Sequence, residues 1–202
     1  MNILIFDTET TGFVNNKIPT NHPNQGRCAQ IGAILQDHEG RVLQELNGLI
    51  KPDGWIMGEG AARVHGFTQD LCEKQGLPGR LIWPMFQGMT EKADLVVAHN
   101  YAFDDKILTI ESILGHLTWR PKNNFCTMLA TTDMCAIPGK FGNYKWPKLI
   151  EVYSYLFNET FEGAHDAMAD VRACSRVFFE LLRRGNVDLL KFTGRSSNII
   201  KV

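Results

Sequence analysis

The sequence predicts an α/β fold, a mixed β-sheet with helices packed on it. The N-terminal run NILIF is apolar at nearly every position, which suits a strand covered on both faces. Two more strand-like stretches follow, joined by the turn sequence DHEG. Beyond residue 93, short apolar stretches alternate with helical patterns, and strands followed by strand–helix alternation give helices laid on a mixed sheet.

Each element can be justified in order. Residues 2–7 form the first strand. Residues 13–28, FVNNKIPTNHPNQGRC, are polar, contain two prolines and read as a loop that could shape substrate entry. AQIGAIL and RVLQELNGLIK pair as a hairpin, and PDGW closes that unit. Short helices are expected near 58–65 and 68–75, and a longer one over 80–92. DLVVAHN is a second buried strand, with a helix from about Phe103 to Leu114 behind it. NNFCT supplies a last strand. Helices over 127–136, 147–157 and 166–184 follow, with Pro147 suited to a first turn.

Composition narrows the function classes. A chain of 202 residues suits one domain, with a core over about 1–184 and a tail over 185–202. Hydrophobic residues make up 44%, enough to exclude a disordered chain. The net charge is −1, from 21 basic and 22 acidic residues, so no strong field steers the chain onto nucleic acid or an anionic membrane. Nucleic-acid binding would need a local patch or a bound cation. Five cysteines without a C-x-x-C pair read as reduced thiols of a cytoplasmic protein. No run has the length to span a membrane, and Asp7 and Glu9 interrupt the only apolar N-terminal stretch, which argues against a signal peptide.

Three acidic points carry the chemistry. Asp7 and Glu9 share a strand face while Thr8 points away, with Cα atoms roughly 6.5–7 Å apart. Two close carboxylates repel unless one is protonated or a hard divalent cation joins them. In AHNYAFDDKIL, Asp104 lies in line with Ile107 and Leu108 at the edge of the apolar stripe. Asp105 lies on the polar face, as a surface charge or helix-start residue. In GAHDAMADVRACSRVFF, Asp170 borders the stripe Ala167, Val171 and Phe178, where an unpaired acid is costly. His165 would sit about 140° from Asp170 on one helix, so it belongs to the preceding loop, pointing into a cleft above Asp170. Asp166, at the helix start, is the natural cap.

Taken in order, FDTETTG, HNYAFD and HDAMAD resemble the three motifs of the DEDDh 3′–5′ exonucleases. That group includes proofreading subunits of bacterial replicative polymerases, RNase T and oligoribonuclease. QIGAI and RVHGFT add to the resemblance, which runs from Met1 to about Leu182. It implies a ribonuclease-H-like fold with a mixed five-stranded sheet flanked by helices, and the activity of a single exonuclease domain. Asp7, Glu9, Asp104 and Asp170 would hold two Mg2+ or Mn2+ ions, which lie about 3.5–4 Å apart in such sites and clamp the attacking and leaving oxygens. His165 would be the general base, a role its ordinary pKa near neutrality suits. The product would be a nucleoside 5′-monophosphate cut from the 3′ end of single-stranded DNA or RNA.

The resemblance also implies substrate contacts. Thr8, Thr10, Thr11 and Gly12 could offer backbone groups to the terminal nucleotide. His65, with Val64 and Phe67, matches a segment that packs against it, although a helix end capped by Gly66 explains these residues equally well. Asn100 and Phe103 belong to the second motif, and His99 is expected to brace the cleft by a hydrogen bond. Lys106, Lys145 and Lys148 are candidate phosphate contacts. Phe141, Tyr144 and Trp146, in the 138–149 segment, form a possible stacking patch or partner-docking site. An RNA-specific or short-oligonucleotide trimming enzyme, and a proofreading or binding subunit of a polymerase complex, remain as alternatives. Neither a polymerase-binding motif nor an oligomeric state is written in the sequence.

Overall fold

The computed structural model describes residues 1–193, so residues 194–202 of the expected tail lie outside the described residues. Five strands, β1 (Asn2–Thr10), β2 (Cys28–Asp37), β3 (Val42–Leu49), β4 (Leu95–Ala98) and β5 (Asn124–Cys126), form one sheet in the order β3-β2-β1-β4-β5. The β1–β2 and β2–β3 pairs are antiparallel, and the β1–β4 and β4–β5 pairs are parallel. The expected mixed five-stranded sheet is therefore present. Seven helices are described: α1 (Glu59–His65), α2 (Gln69–Gln75), α3 (Gly79–Lys92), α4 (Tyr101–Ile113), α5 (Thr127–Cys135), α6 (Leu149–Phe157) and α7 (Ala167–Arg183).

The apolar run of β1 is continuous because both of its faces are covered. Leu4 and Phe6 pack with Ile82 and Phe86 of α3 and Ile107 and Leu108 of α4. Ile3 and Ile5 pack with Val152 of α6 and Val171, Val177 and Phe178 of α7. Each such side chain, once fully buried, contributes roughly 1.5–3 kcal/mol. Alternation then carries Asp7 and Glu9 along the α7 face and Thr8 along the α4 face.

The structure corrects several boundaries. β1 runs on to Thr10 because β2 keeps pairing with it as far as Cys28, so Glu9 as well as Asp7 lies within the strand. The loop accordingly covers residues 11–27, and the buried Gln25 side chain knits it by bonds to the backbone of Asn15, Ile18 and Pro19. α4 starts at Tyr101 rather than near Phe103, because Asn100 takes a left-handed conformation (φ 66°) that turns the chain straight out of β4. α6 starts at Leu149, which leaves Pro147 outside the helix. Glu151 accepts the Lys148 N–H at 2.7 Å there and fixes the helix start. Among the described residues, no helix is long and apolar enough to cross a membrane.

Candidate active site

β1 and β4 are parallel neighbours whose chains leave in opposite directions, to β2 on one side and β5 on the other. Open α/β sheets place ligands in the crevice at the carboxyl ends of such strands. A cleft of about 820 Å³ lies here, lined by Asp7, Glu9, Asp104, His165 and Asp170. The three motif segments, far apart in sequence, thus converge on one cavity.

Each side chain is held by local structure. Asp104 is 2% exposed, at the end of the first turn of α4. Its Oδ1 accepts the Thr8 backbone N–H at 3.1 Å and the Thr8 hydroxyl at 2.6 Å. Asp166 caps α7 by accepting the N–H groups of Met168 and Ala169, both at 3.1 Å, as expected from its position. His165 stands on the preceding loop in a left-handed conformation (φ 71°), and its backbone N–H donates to Asp170 Oδ2 at 3.1 Å. Ligand atoms of Glu9, His165 and Asp170 all lie within 4.8 Å of one another.

The electrostatics are those of concentrated negative charge. Burial, then the charges of Asp104, Asp170 and Glu9, hold the Asp7 carboxyl well above the usual carboxylate range. Glu9 is pushed up to about 8, by burial first and then by Asp170 and Asp104. Burial raises Asp104 to about 7 even though the Thr8 hydrogen bonds oppose the shift. Asp170 is also raised by burial, with the His165 N–H partly offsetting it. Among the described residues, no lysine or arginine pairs with any of the four acids. Buried oxygen donors without a compensating cation suit a hard divalent ion, and the donor set fits such a group.

The remaining expected residues divide. Thr10, Thr11, Gly12, His65, Asn100 and Phe103 line the cleft. Thr8 also touches it, but Asp104 takes both its N–H and its hydroxyl, so Thr8 supports an acid instead of presenting a free donor. Phe67 does not line the cleft. It stacks on His65 at 5.1 Å and packs with Trp55 and Cys72, because the Gly66 turn directs it beneath α1. The His65 ring accepts the Phe67 N–H at Nδ1, which leaves Nε2 to donate to the Thr10 carbonyl at 3.1 Å. The helix-end reading of this segment holds, since α1 ends at Gly66, while Val64 and His65 line the cleft.

His99 braces the wall as expected, bonding Thr127 Oγ1 and the Pro147 carbonyl, both at 3.0 Å. Burial lowers its pKa to about 4, so it is neutral at pH 7. Asp105 is not a free surface charge, for it accepts from the Tyr101 hydroxyl and Trp119 Nε1, both at 2.9 Å. Of the three lysines, Lys148 lines the cleft, Lys106 does not, and Lys145 is paired with Glu151 at 2.6 Å. Trp146 lines the mouth and is 65% exposed. Phe141 and Tyr144 are exposed but do not line the cleft.

Sequence reasoning missed Phe13, which is 90% exposed at the mouth and meets Phe103 edge-on at 6.3 Å. Its signal was its place directly after FDTETTG, which a loop assignment obscured. Met128 and Phe161 line the cleft as well, and no motif marked them.

Known proteins resemble the chain in sequence and in fold. The RNase T exonuclease family model matches residues 4–178. An uncharacterised exonuclease, CP81, of Escherichia phage 186 is 27% identical over 90% of this chain and 89% of its own. Exonuclease I of E. coli, crystallised with a dT13 oligonucleotide, superposes with a TM-score of 0.70 at 22% identity, over 90% of this chain and 41% of that one. Exonuclease I of Methylocaldum szegediense gives a TM-score of 0.68 at 21% identity, over 91% of this chain and 41% of that one. This chain therefore spans about two fifths of the length of those structures, and the likeness establishes the ribonuclease-H-like fold. With the family model covering nearly all of the sheet and its helices, the chain belongs to the RNase T family of exonucleases.

Proposed function

We propose that the protein is a metal-dependent 3′–5′ exonuclease that releases nucleoside 5′-monophosphates from single-stranded DNA or RNA. The observation that carries this reading is the convergence of Asp7, Glu9, Asp104 and Asp170 in one cleft beside His165, with no lysine or arginine partner among the described residues. On this reading residues 1–202 form one exonuclease domain, and five free thiols suit a cytoplasmic location.

Two divalent ions, Mg2+ or Mn2+, held by the four acids would supply the positive charge that draws in the scissile phosphate and stabilises charge on the oxygens around it. His165, exposed in the cleft, accepts the proton of the attacking water at a ring nitrogen. The new bond joins the water oxygen to phosphorus as the bond to the 3′-oxygen of the preceding nucleotide breaks. Thr8 keeps Asp104 in place through this step.

The terminal nucleotide lies between Thr10, Thr11, Gly12 and His65 on one wall and Asn100 and Phe103 on the other. Phe13 and Trp146 offer ring faces to bases at the mouth, which favours unpaired strands. Exonuclease I, a structural neighbour, binds a single-stranded oligonucleotide, in keeping with this.

Of the lysines and arginines among the described residues, Lys148 alone lines the cleft. That scarcity supports a second reading, in which the preferred substrate is a very short oligonucleotide. Incubation with 5′-labelled DNA and RNA of several lengths, in Mg2+, Mn2+ or EDTA, tests both. A ladder shortening from the 3′ end, absent in EDTA and in Asp7→Ala, is the expected result, and intact substrate in every metal would refute the proposal.

A further inference from the structure

Gln30 lies opposite Glu9 in the β1–β2 register, and Gly32 lies opposite Asp7. Directly opposed residues of an antiparallel pair share a face. The two acids of β1 therefore stand beside the two residues of β2 on which α7 rests. A Cβ on Gly32 would come within 2.6 Å of the Ala167 carbonyl carbon and 2.7 Å of its oxygen, so the backbone of α7 sits directly on the strand.

The Gln30 side chain, 3% exposed, completes this seat. Its Oε1 accepts the Ala167 N–H at 2.9 Å. Its Nε2 donates to Asp166 Oδ2 at 2.9 Å and to Asn47 Oδ1 at 3.0 Å. Ala167 and Asp166 lie between His165 and Asp170. A single amide thus ties that limb of the site to the strand rung that carries Glu9. The job needs one acceptor and two donors at once, which glutamine supplies and glutamate does not.

We propose that Gln30 is a positioning residue that sets the His165–Asp170 limb against Glu9. The inference rests on the reading of the cleft as a nuclease centre. Groups that orient ligands from behind typically cost 10- to 100-fold in metal affinity or activity when removed.

The test compares Gln30→Met, Gln30→Glu and Asp7→Ala with the parent protein. It measures kcat and KM on a single-stranded oligonucleotide, Mn2+ binding by electron paramagnetic resonance, and amide exchange at Ala167. Gln30→Met should lower kcat and Mn2+ affinity roughly 10- to 100-fold with KM little changed, and should free the Ala167 amide to exchange. Gln30→Glu keeps the acceptor for Ala167 but sets a charge against Asp166, so it should protect that amide and lose less. A folded Gln30→Met with parental kcat and Mn2+ affinity, or a loss confined to KM, overturns the proposal. Should Gln30→Met fail to fold, Gln30→Glu carries the test, and parental kcat and Mn2+ affinity there also overturn it. An active Asp7→Ala would instead overturn the reading of the site itself.

Discussion

Without metal, the acidic cleft should weaken the fold as pH rises. Glu9 titrates near 4.5 in an open chain and near 8 in the folded protein. Between those values the native state holds a proton that the unfolded state has lost, so stability falls with rising pH across that window. A shift from 4.5 to about 8, at about 1.4 kcal/mol for each tenfold step, sets a ceiling of about 5 kcal/mol for Glu9. For a chain of this size each kcal/mol moves the melting temperature by about 2–4 °C, so the ceiling is about 10–20 °C. Entry of water into the metal-free cleft will lower it, and a drop of at least about 5 °C between pH 5.5 and 8.5 in EDTA is expected. Mn2+ binds the ionised form and should flatten the curve. Glu9→Gln in EDTA should make it shallower, because Asp7, Asp104 and Asp170 remain raised by burial, and should melt above the parent at pH 8. Scanning calorimetry over this pH range, with Mn2+ and with EDTA, checks all three outcomes. Parallel curves in Mn2+ and EDTA would refute the argument that the acids await a cation.

Three further outcomes are expected. His165→Ala should lose at least about 100-fold in kcat yet bind Mn2+ as before; an equal loss of Mn2+ binding, read by calorimetric titration, would make His165 a ligand instead of a base. With Lys148 the one lysine that lines the cleft among the described residues, log affinity for a single-stranded oligonucleotide should fall with log salt at a slope near −0.7, and Lys148→Ala should nearly abolish that slope. A fluorescence-anisotropy salt titration giving a slope of several units would show phosphate contacts outside the cleft. Gly32→Ala should destabilise by roughly 1–3 kcal/mol, since its Cβ meets backbone that cannot swing aside, and urea melts give the value.

The acids were legible in sequence because their positions obey local periodicities. A period of two put Asp7 and Glu9 on one face, and the helical stripe separated the buried Asp104 from Asp105. What stayed hidden depended on partners distant in sequence. The length of β1 is set by β2, and the role of Thr8 by an aspartate 96 residues away. Arg27 is 84 residues from Glu111, yet its Nε donates to Oε1 at 2.9 Å in a buried pair that anchors the end of the 11–27 loop. Neither residue stood out, because a lone arginine or glutamate carries no spacing signal. Phe67 was misplaced for a related reason, since nothing local says which side of Gly66 faces the cleft. QIGAI was recognised as a pattern, whereas its use emerged only when Gln30 and Gly32 met α7.

β1 has one helical layer on each side, and the acids are divided between those layers. Asp104 comes with α4 on one side, and Asp170 with α7 on the other. A chain with only one layer docked has at most three of its four acids in place. As the ribosome makes the protein, Asp170 is the last of the four to emerge, and it reaches the cleft only once α7 settles on Gly32. On the proposed function, a partly made chain lacks the fourth acid of its centre, and so cannot cut a strand, until α7 has docked on Gly32.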